Sequence, residues 1–529
     1  MAASGFGGIK DRNVVPRWRP SALFASSPEA SASKERLLDV GPPVADWSEV
    51  AYQHWVSAPS VGLLADAFSA ALVEQNKARL MELAHAVRAS GDRVSVPLQR
   101  AATAVLGGNE DDVVVGAASI GELDRFSESI TDRYASELRK RARLQPRNGF
   151  HWHDLSYALN LLGDKDGAES AMRAAIQVSG SHRLIVRSAA RLYLHHDGRK
   201  DALSVIERAG GVAKDPWLLS AHLAISQGGG RSSRFSVAAR QLVEGRKSLS
   251  TQHSELGMAV ATQEVMSGRS KKAKQLIAAS SIHPTENALA QAVWLSHQLS
   301  LPVADSLKNQ SIEQDAAFEA KCWSSFYRGD WALAAESAIG WLIDEPFSTR
   351  PATQGSFLAS TFLRDHVLAE RFAVFGLRMN PGDWVLRNNL VVALAEQDRI
   401  VEAGREFLQL AEPSPESENY AVYCATGGLL SYRRGFVGDG RDLYARAMSS
   451  LVRSRNRSSQ MILALYQSAE EMKAGNFVMA KEILGKVPAF SGVIADKESV
   501  FSRALELELQ RAVARIAIDE VSNPLLPSP

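Results

Sequence analysis

Two histidine clusters are the first places to look for chemistry in this 529-residue chain: His151-Trp152-His153-Asp154 and His195-His196-Asp197. Each offers two imidazoles and a carboxylate, the donor types of a metal site or a general base. The spacing argues against both. On a helix, residues one or two apart point away from each other, so neither histidine pair can close on one ion. Histidine near a helix C-terminus is favoured by the macrodipole, which accounts for His195 and His196 ahead of Gly198. Trp152 reads as the buried large residue of its segment, which leaves His151 and His153 near the surface. The chain has no H-E-x-x-H, no C-x-x-C pair, no phosphate loop ending in Gly-Lys-Ser/Thr and no G-x-S-x-G elbow. Gly228-Gly229-Gly230 lacks a lysine and a preceding strand, so it does not read as a phosphate cradle. Cys322 and Cys424 are the only cysteines. They form no disulfide framework and no metal-ligand spacing, and they fit a reducing compartment. No catalytic residue, cofactor site or metal site is predicted.

Binding chemistry is more legible. Near the start, Lys10, Arg12, Arg17 and Arg19 flank Trp18. An exposed tryptophan is costly without a partner, so Arg17 and Trp18 predict a short linear docking motif. Farther on, Arg433, Arg434, Arg441, Arg446, Arg453, Arg455 and Arg457 face only Asp439 and Asp442. Basic residues interleaved with aromatics can grip a phosphate backbone. A solvated helix face, or contact with an acidic partner, explains the stretch 433–457 as well.

The elements that must position these residues show themselves through a spacing. Gly163/Ala168/Met172, Gly268/Ala273/Ile277, Gly329/Ala334/Ala338, Gly435/Gly440/Tyr444 and Gly475/Ala480/Leu484 repeat one pattern: glycine, a small residue five on, another residue four beyond. The small residue recurs at Ala202, Ala239, Ala369 and Ala403, with several steps of 34 or 35, and Pro346, Pro381 and Pro415 are themselves 35 and 34 apart. Such a period with a turn inside it predicts an all-α array of helical hairpins. Small residues let paired helices approach, and proline ends one unit before the next begins. A compact reading of this length would need three or four domains, whereas a solenoid has no such limit. Apolar residues make up 45 % and charged residues 22 %, with a formal charge of +1, so no global field calls for nucleic acid or an acidic membrane.

Trp152, Leu155, Ser156, Leu159, Gly163, Ala168, Met172 and Ala175 keep the spacing W-x2-L-S-x2-L-x3-G-x4-A-x3-M-x2-A. This resembles the tetratricopeptide repeat, with Ser156 in place of its glycine, Leu159 of its tyrosine and Gly180 of its closing proline. The layout is similar to large cytosolic bacterial members of that superfamily. The resemblance implies a right-handed superhelix over 147–490, with eight to ten units, some degenerate around Ala288–Lys308 and at Gly228–Gly230. Residues 1–45 form an extended or disordered tail, 46–146 an N-terminal helical region with helical pattern through Leu63–Ala89 and Glu122–Arg143, 491–520 a capping helix and 521–529 a second tail. The family's concave face is lined by the first helix of each unit. Carried over, that places His153, Tyr157, Arg187, Arg191 and Asn388 in the groove. Arg187 and Arg191, four apart, would suit an acidic or carboxylate-bearing peptide, or else form a solvated face. Trp323 and Phe326 would be apolar anchors.

The function expected is a non-catalytic protein-protein interaction scaffold or adaptor, binding a partner protein through the concave groove. The alternatives are a nucleic-acid-binding helical-repeat protein, or the regulatory subunit of an operon-encoded effector complex. A base-reading array would repeat a polar pair at fixed positions, but Phe150, Leu184, Pro351 and Val385 vary and show no code. No apolar run reaches the ~20 residues of a membrane span, and the first residues lack a hydrophobic signal core, so a cytoplasmic location is expected.

Overall fold

The computed structural model describes residues 16–20, 47–57, 59, 61–73, 76–91, 96–107, 126–230, 232–298, 317–417, 419–486 and 508–516. Among these residues every regular element is helical. Four helices come first: α1 (Trp47–Ser57), α2 (Val61–Val73), α3 (Lys77–Ala89) and α4 (Val96–Val105). They enclose a small core of their own around Phe68, Leu83 and Val87. The apolar pattern of 63–89, which reads as one run, is broken in two. Asn76 ends the first half and caps the second, its side chain accepting from the Arg79 N–H. Helix α5 (Glu128–Leu144) then leads into the array.

Successive hairpins follow: α6 (Gly149–Leu161) with α7 (Lys165–Ser179), α8 (Arg183–His195) with α9 (Arg199–Arg208), α10 (Pro216–Gly228) with α11 (Ser236–Val243), and α12 (Thr251–Met266) with α13 (Ser270–Ser280). Helix α14 (Glu286–Gln298) packs on α15 (Phe318–Arg328), which pairs with α16 (Trp331–Asp344). The rest are α17 (Thr349–Leu358) with α18 (His366–Met379), α19 (Trp384–Glu396) with α20 (Ile400–Phe407), α21 (Tyr420–Arg433) with α22 (Val437–Arg453), and α23 (Arg457–Lys473) with α24 (Phe477–Gly485). The second half of the unit expected around Ala288–Lys308 lies outside the described residues. Of the expected cap, 508–516 is helical, and its Ile516 is buried against Ala464, Leu465, Ala480 and Leu484. The rest of that cap lies outside the described residues, as do both chain ends.

The recurring glycines are explained by backbone geometry. Gly163, Gly268, Gly329, Gly435 and Gly475 all sit at φ between 73° and 85°, in the left-handed turn that joins the two helices of a hairpin. Asp197, Arg364 and Asp398 take φ of 57–61° at the matching turns of units that lack the glycine. The turn is constant and the glycine is optional, which is why the spacing is visible in only some units. The small-residue ladder is buried throughout: Ala168, Ala202, Ala239, Ala273, Ala334, Ala369, Ala403 and Ala480 expose nothing. At Gly440 even a methyl group would be too much, because a Cβ there would lie 2.5 Å from the Tyr432 ring. One irregularity is a π-helical turn at Ala359–Leu363, ending at Arg364. It sets Phe362 flat against Trp331, with ring centroids 3.9 Å apart.

The two helices of a hairpin are buried differently. In α7 the buried residues form a stripe, Ala168, Ala171, Met172 and Ala175. In α6 every residue from His153 to Leu161 is buried. A helix buried all round has neighbours on every side. The first helices of other units are enclosed in the same way: α10 is buried from Leu218 to Gln227, α12 from Ser254 to Thr262 and α19 from Asn388 to Ala395.

Gly163→Ala isolates the turn, since a Cβ there would meet nothing within 4 Å. The substitution should cost about 1–2 kcal/mol from backbone strain alone. Asp197→Gly, at the equivalent turn, should be neutral or slightly stabilising. Chemical denaturation of the two variants checks both values.

Candidate functional site

The chain's own N-terminal segment is seated against α6, α15 and α16. Residues 16–20, Pro-Arg-Trp-Arg-Pro, run extended, with Pro16, Trp18 and Pro20 buried and Arg17 and Arg19 less so. That alternation is the period of an extended strand: one edge goes down and the other goes sideways. Trp18, with no exposed surface, enters a slot between α6 and the loop after α16. Its ring centroid lies 5.2 Å from Tyr157 and 5.3 Å from Phe347, with His153 at 6.4 Å. The Tyr157 contact is edge-to-face, a favourable aromatic geometry. The slot joins parts of the chain that are far apart in sequence. Phe347 also touches Tyr157 at 5.9 Å and His195 at 5.3 Å, and the Arg191 guanidinium lies over its ring. Early hairpins thus meet later ones across the inside of the array.

The two arginines of the segment splay into carboxylates. Arg17 donates to Asp344 at 2.8 Å and to Glu319 at 3.0 Å, with Glu345 at 3.9 Å. Arg19 forks onto both oxygens of Asp344 and also donates to Glu286. The array itself brings two guanidiniums to these four acids. Arg350 donates to Glu319, and Arg191 stands 3.9 Å from Glu345. Among the described residues the array contributes four carboxylates and two guanidiniums here, and the segment adds two guanidiniums. Such pairing is what a buried carboxylate requires. Burial alone would push the Glu345 pKa up. Arg17 and Arg191, the indole N–H of Trp341 and Arg350 overcome that and bring it down to about 2. Burial also opposes the charge on Arg17, but Glu345, Asp344 and Glu319 outweigh it and raise its pKa.

Several expected site residues are placed differently. Arg187 and Arg191 are not free cations waiting for an acidic peptide. Arg187 donates to Glu255 at 2.8 Å and to the Trp217 carbonyl, and Arg191 belongs to the Glu345 cluster. The groove therefore has the opposite polarity to the one expected: it is acidic and takes a basic segment. Trp323 and Phe326 are not groove anchors. They lie in the hairpin core against Trp341, Trp331 and Phe357. Asn388 is buried and accepts from Thr426 at 2.8 Å, tying α19 to α21. His153 is not near the surface but has no exposure, while Trp152 is only half-buried, its indole N–H donating to the Pro146 carbonyl. Tyr157, Arg17 and Trp18 are brought together as one site.

The residues that complete it, Glu286, Glu319, Asp344, Glu345 and Phe347, were missed from sequence, and His195, read as a helix-end residue, packs on Phe347. One signal was available. Asp344-Glu345 puts two acids at the C-terminus of α16, where the helix dipole is already negative, and no basic residue shares that turn. A local conflict of this kind marks a place where something else must supply positive charge.

The structure also gathers a His, an acid and a Ser that no spacing announced. The His153 ring sits between Asp154 Oδ1 and Ser188 Oγ, each 2.9 Å away. The connectivity is that of a hydrolase relay, but Ser188 has no exposed surface on α8. An unreachable hydroxyl is no nucleophile, and the trio reads as a satisfied polar floor beneath Trp18. The arginine-rich stretch is likewise partly consumed. Arg433 pairs with Glu396, Asp398 and Glu470, and Arg441 with Glu471, so both join their hairpin to its neighbours. Among the described residues no group of His, Cys, Asp and Glu could hold a metal ion, and no helix is long and apolar enough to cross a membrane.

No family model and no curated protein matches the chain. Among solved structures it is similar to the crystal structure of an APC/C hetero-tetramer of Cut9 and Hcn1, with a TM-score of 0.39 and 9 % identity over 94 % of this chain and 90 % of that one. It is also similar to yeast Tom70, with a TM-score of 0.27 and 10 % identity over 76 % of this chain and 96 % of that one. Both scores lie below 0.5, and the fold stands on the hairpin packing of the chain itself.

His195 gives the site a pH dependence. Burial and the neighbouring Arg191 push its pKa from 6.5 down to about 3, so it is neutral against Phe347. The unfolded chain binds a proton in that interval that the folded chain does not. Its contribution is complete above pH 6.5 and is lost as pH falls toward 3. His195→Gln should therefore make the fall in melting temperature between pH 6.5 and 3 shallower. An unchanged slope would contradict this placement.

Proposed function

We propose that this protein is a non-catalytic scaffold or adaptor that holds a partner protein through the inner face of its hairpin array. One observation carries the reading: the array has at its centre a peptide seat, an aromatic slot ringed by carboxylates, and a five-residue extended segment lies in it. Recognition of an extended segment by pockets for alternate side chains is a recurring way for proteins to hold one another. Glu319 and Glu345 bond within the array as well, to Arg350 and to the Trp341 indole, but Asp344 is met by the segment's Arg17 and Arg19. Asp344 and Glu345 weaken the end of their own helix unless cations meet them. A surface that is locally unfavourable, and complementary to a particular chemistry, is typical of a binding site.

Cys322 and Cys424 are buried outside any disulfide, which supports a reducing, cytosolic setting. The nucleic-acid reading loses support because Arg433 and Arg441 are engaged with acids of the array.

The test is a pull-down from native lysate with the full chain and with its Asp344→Asn/Glu345→Gln variant, at low and high salt and with and without nuclease. The expected result is a discrete protein that survives nuclease and is diminished in the variant. Recovery of only nuclease-sensitive, salt-labile material, held equally by both chains, would overturn the reading.

A further inference from the structure

We propose that residues 16–20 are a resident ligand that closes the groove, and that the partner is a protein presenting an extended arginine–aromatic–arginine segment that displaces it. This rests on the scaffold reading and names the chemistry of what the groove takes. Four observations on the seat carry it.

The first is charge. Among the described residues of the array, Arg191 and Arg350 are the guanidiniums that meet Glu286, Glu319, Asp344 and Glu345, leaving room for two more about one aromatic residue apart. The second is the source of the contacts. The ion pairs and ring contacts come from the side chains of three consecutive residues, so the seat reads a short linear motif, not a folded surface. The third is an imperfection in the resident fit. Among the described residues, the indole N–H of Trp18 and the Nε of Arg17 are both buried without a hydrogen-bond partner. A buried donor left unmade is a penalty on the occupant, and a competing segment need not carry it. The fourth is the tether. In sequence, 26 residues lie between the segment and α1, so it is covalently joined to the array it occupies.

The tether sets how tightly the groove is closed. A ligand joined through the chain to its own site acts at an effective concentration on the order of 1 mM. A free copy with an intrinsic Kd of about 10 μM would then be weakened on the order of 100-fold while the resident is in place. The groove is shut by default and opens to a segment that binds better, or after the resident has been drawn off. The slot also sets specificity. Since the indole N–H makes no bond, phenylalanine should serve as well as tryptophan, while both arginines are needed.

The experiment uses a fluorescein-labelled peptide of the sequence Val-Val-Pro-Arg-Trp-Arg-Pro, read by anisotropy. Its hosts are the full wild-type chain and the full chain carrying Arg17→Glu, Trp18→Ala and Arg19→Glu, with folding checked by circular dichroism. The variant should bind the peptide about 100-fold more tightly than wild type. A peptide with Phe for Trp should bind comparably, and adding Asp344→Asn/Glu345→Gln to the variant host should abolish binding. Equal binding by wild type and variant, or no binding by a folded variant, would overturn the proposal. Should the triple variant fail to fold, hydrogen exchange on the wild-type chain decides. Millimolar unlabelled peptide should raise deuterium uptake over residues 16–20, and unchanged uptake would make the segment a fixed part of the core. Dimers seen by light scattering without peptide capture would overturn it in favour of exchange between two copies of the chain. Loss of the resident-ligand account with groove-dependent capture intact would leave the scaffold reading standing.

Discussion

Four carboxylates converge where α14, α15 and α16 face the inside of the array, and most of their surface is out of water. Two guanidiniums from the array cannot balance them. The cost of leaving a buried carboxylate unpaired is several kcal/mol, so the interior of this solenoid is tenable only if cations come from elsewhere. Arg17 and Arg19 supply them, and Trp18 between them plugs the aromatic slot. The depressed pKa of Glu345 follows from this pairing, since Arg17 is the strongest of the groups that lower it.

A hairpin array is normally a one-dimensional object in which each unit touches only its neighbours. This one adds contacts across the inside. Tyr157 meets Phe347, Arg191 meets Glu345, and Arg378 donates to the backbone carbonyl of Phe126, 252 residues away. Tyr466 likewise reaches Thr361 of the π-helical turn at 3.1 Å. Contacts of this kind couple distant units, so the array should unfold as larger cooperative blocks than nearest-neighbour packing alone would give. They also mean that whatever occupies the centre influences units at both sides of it. That is a physical route by which an exchangeable segment could be felt along the array.

The architecture was legible because it rests on local rules. A left-handed turn favours glycine, a close helix crossing needs a small residue, and proline stops a helix; each rule leaves a mark at a fixed spacing. The marks faded where the rule was met by other means, as at Asp197, Arg364 and Asp398, which adopt the turn without glycine. That Trp18 needs apolar neighbours was legible for the same reason, since an apolar ring in a polar segment is locally anomalous. The location of its seat was not. Glu319, Asp344 and Glu345 look like ordinary helix-surface acids until the array curls and brings them to face α8. Arg187 and Arg191 were read as free because their partners, Glu255 and Glu345, lie 68 and 154 positions on in sequence. Polarity inside a superhelix is a long-range property, and no short window carries it.

The most direct test of this account is a double-mutant cycle between Arg17 and Asp344 in the full chain, using Arg17→Met and Asp344→Asn and reading stability by chemical denaturation. The account predicts a coupling of at least about 1 kcal/mol, as expected for groups sharing a buried network. Additivity within about 0.3 kcal/mol would mean that the segment does not sit in the acidic seat, and the account of the filled groove would fail.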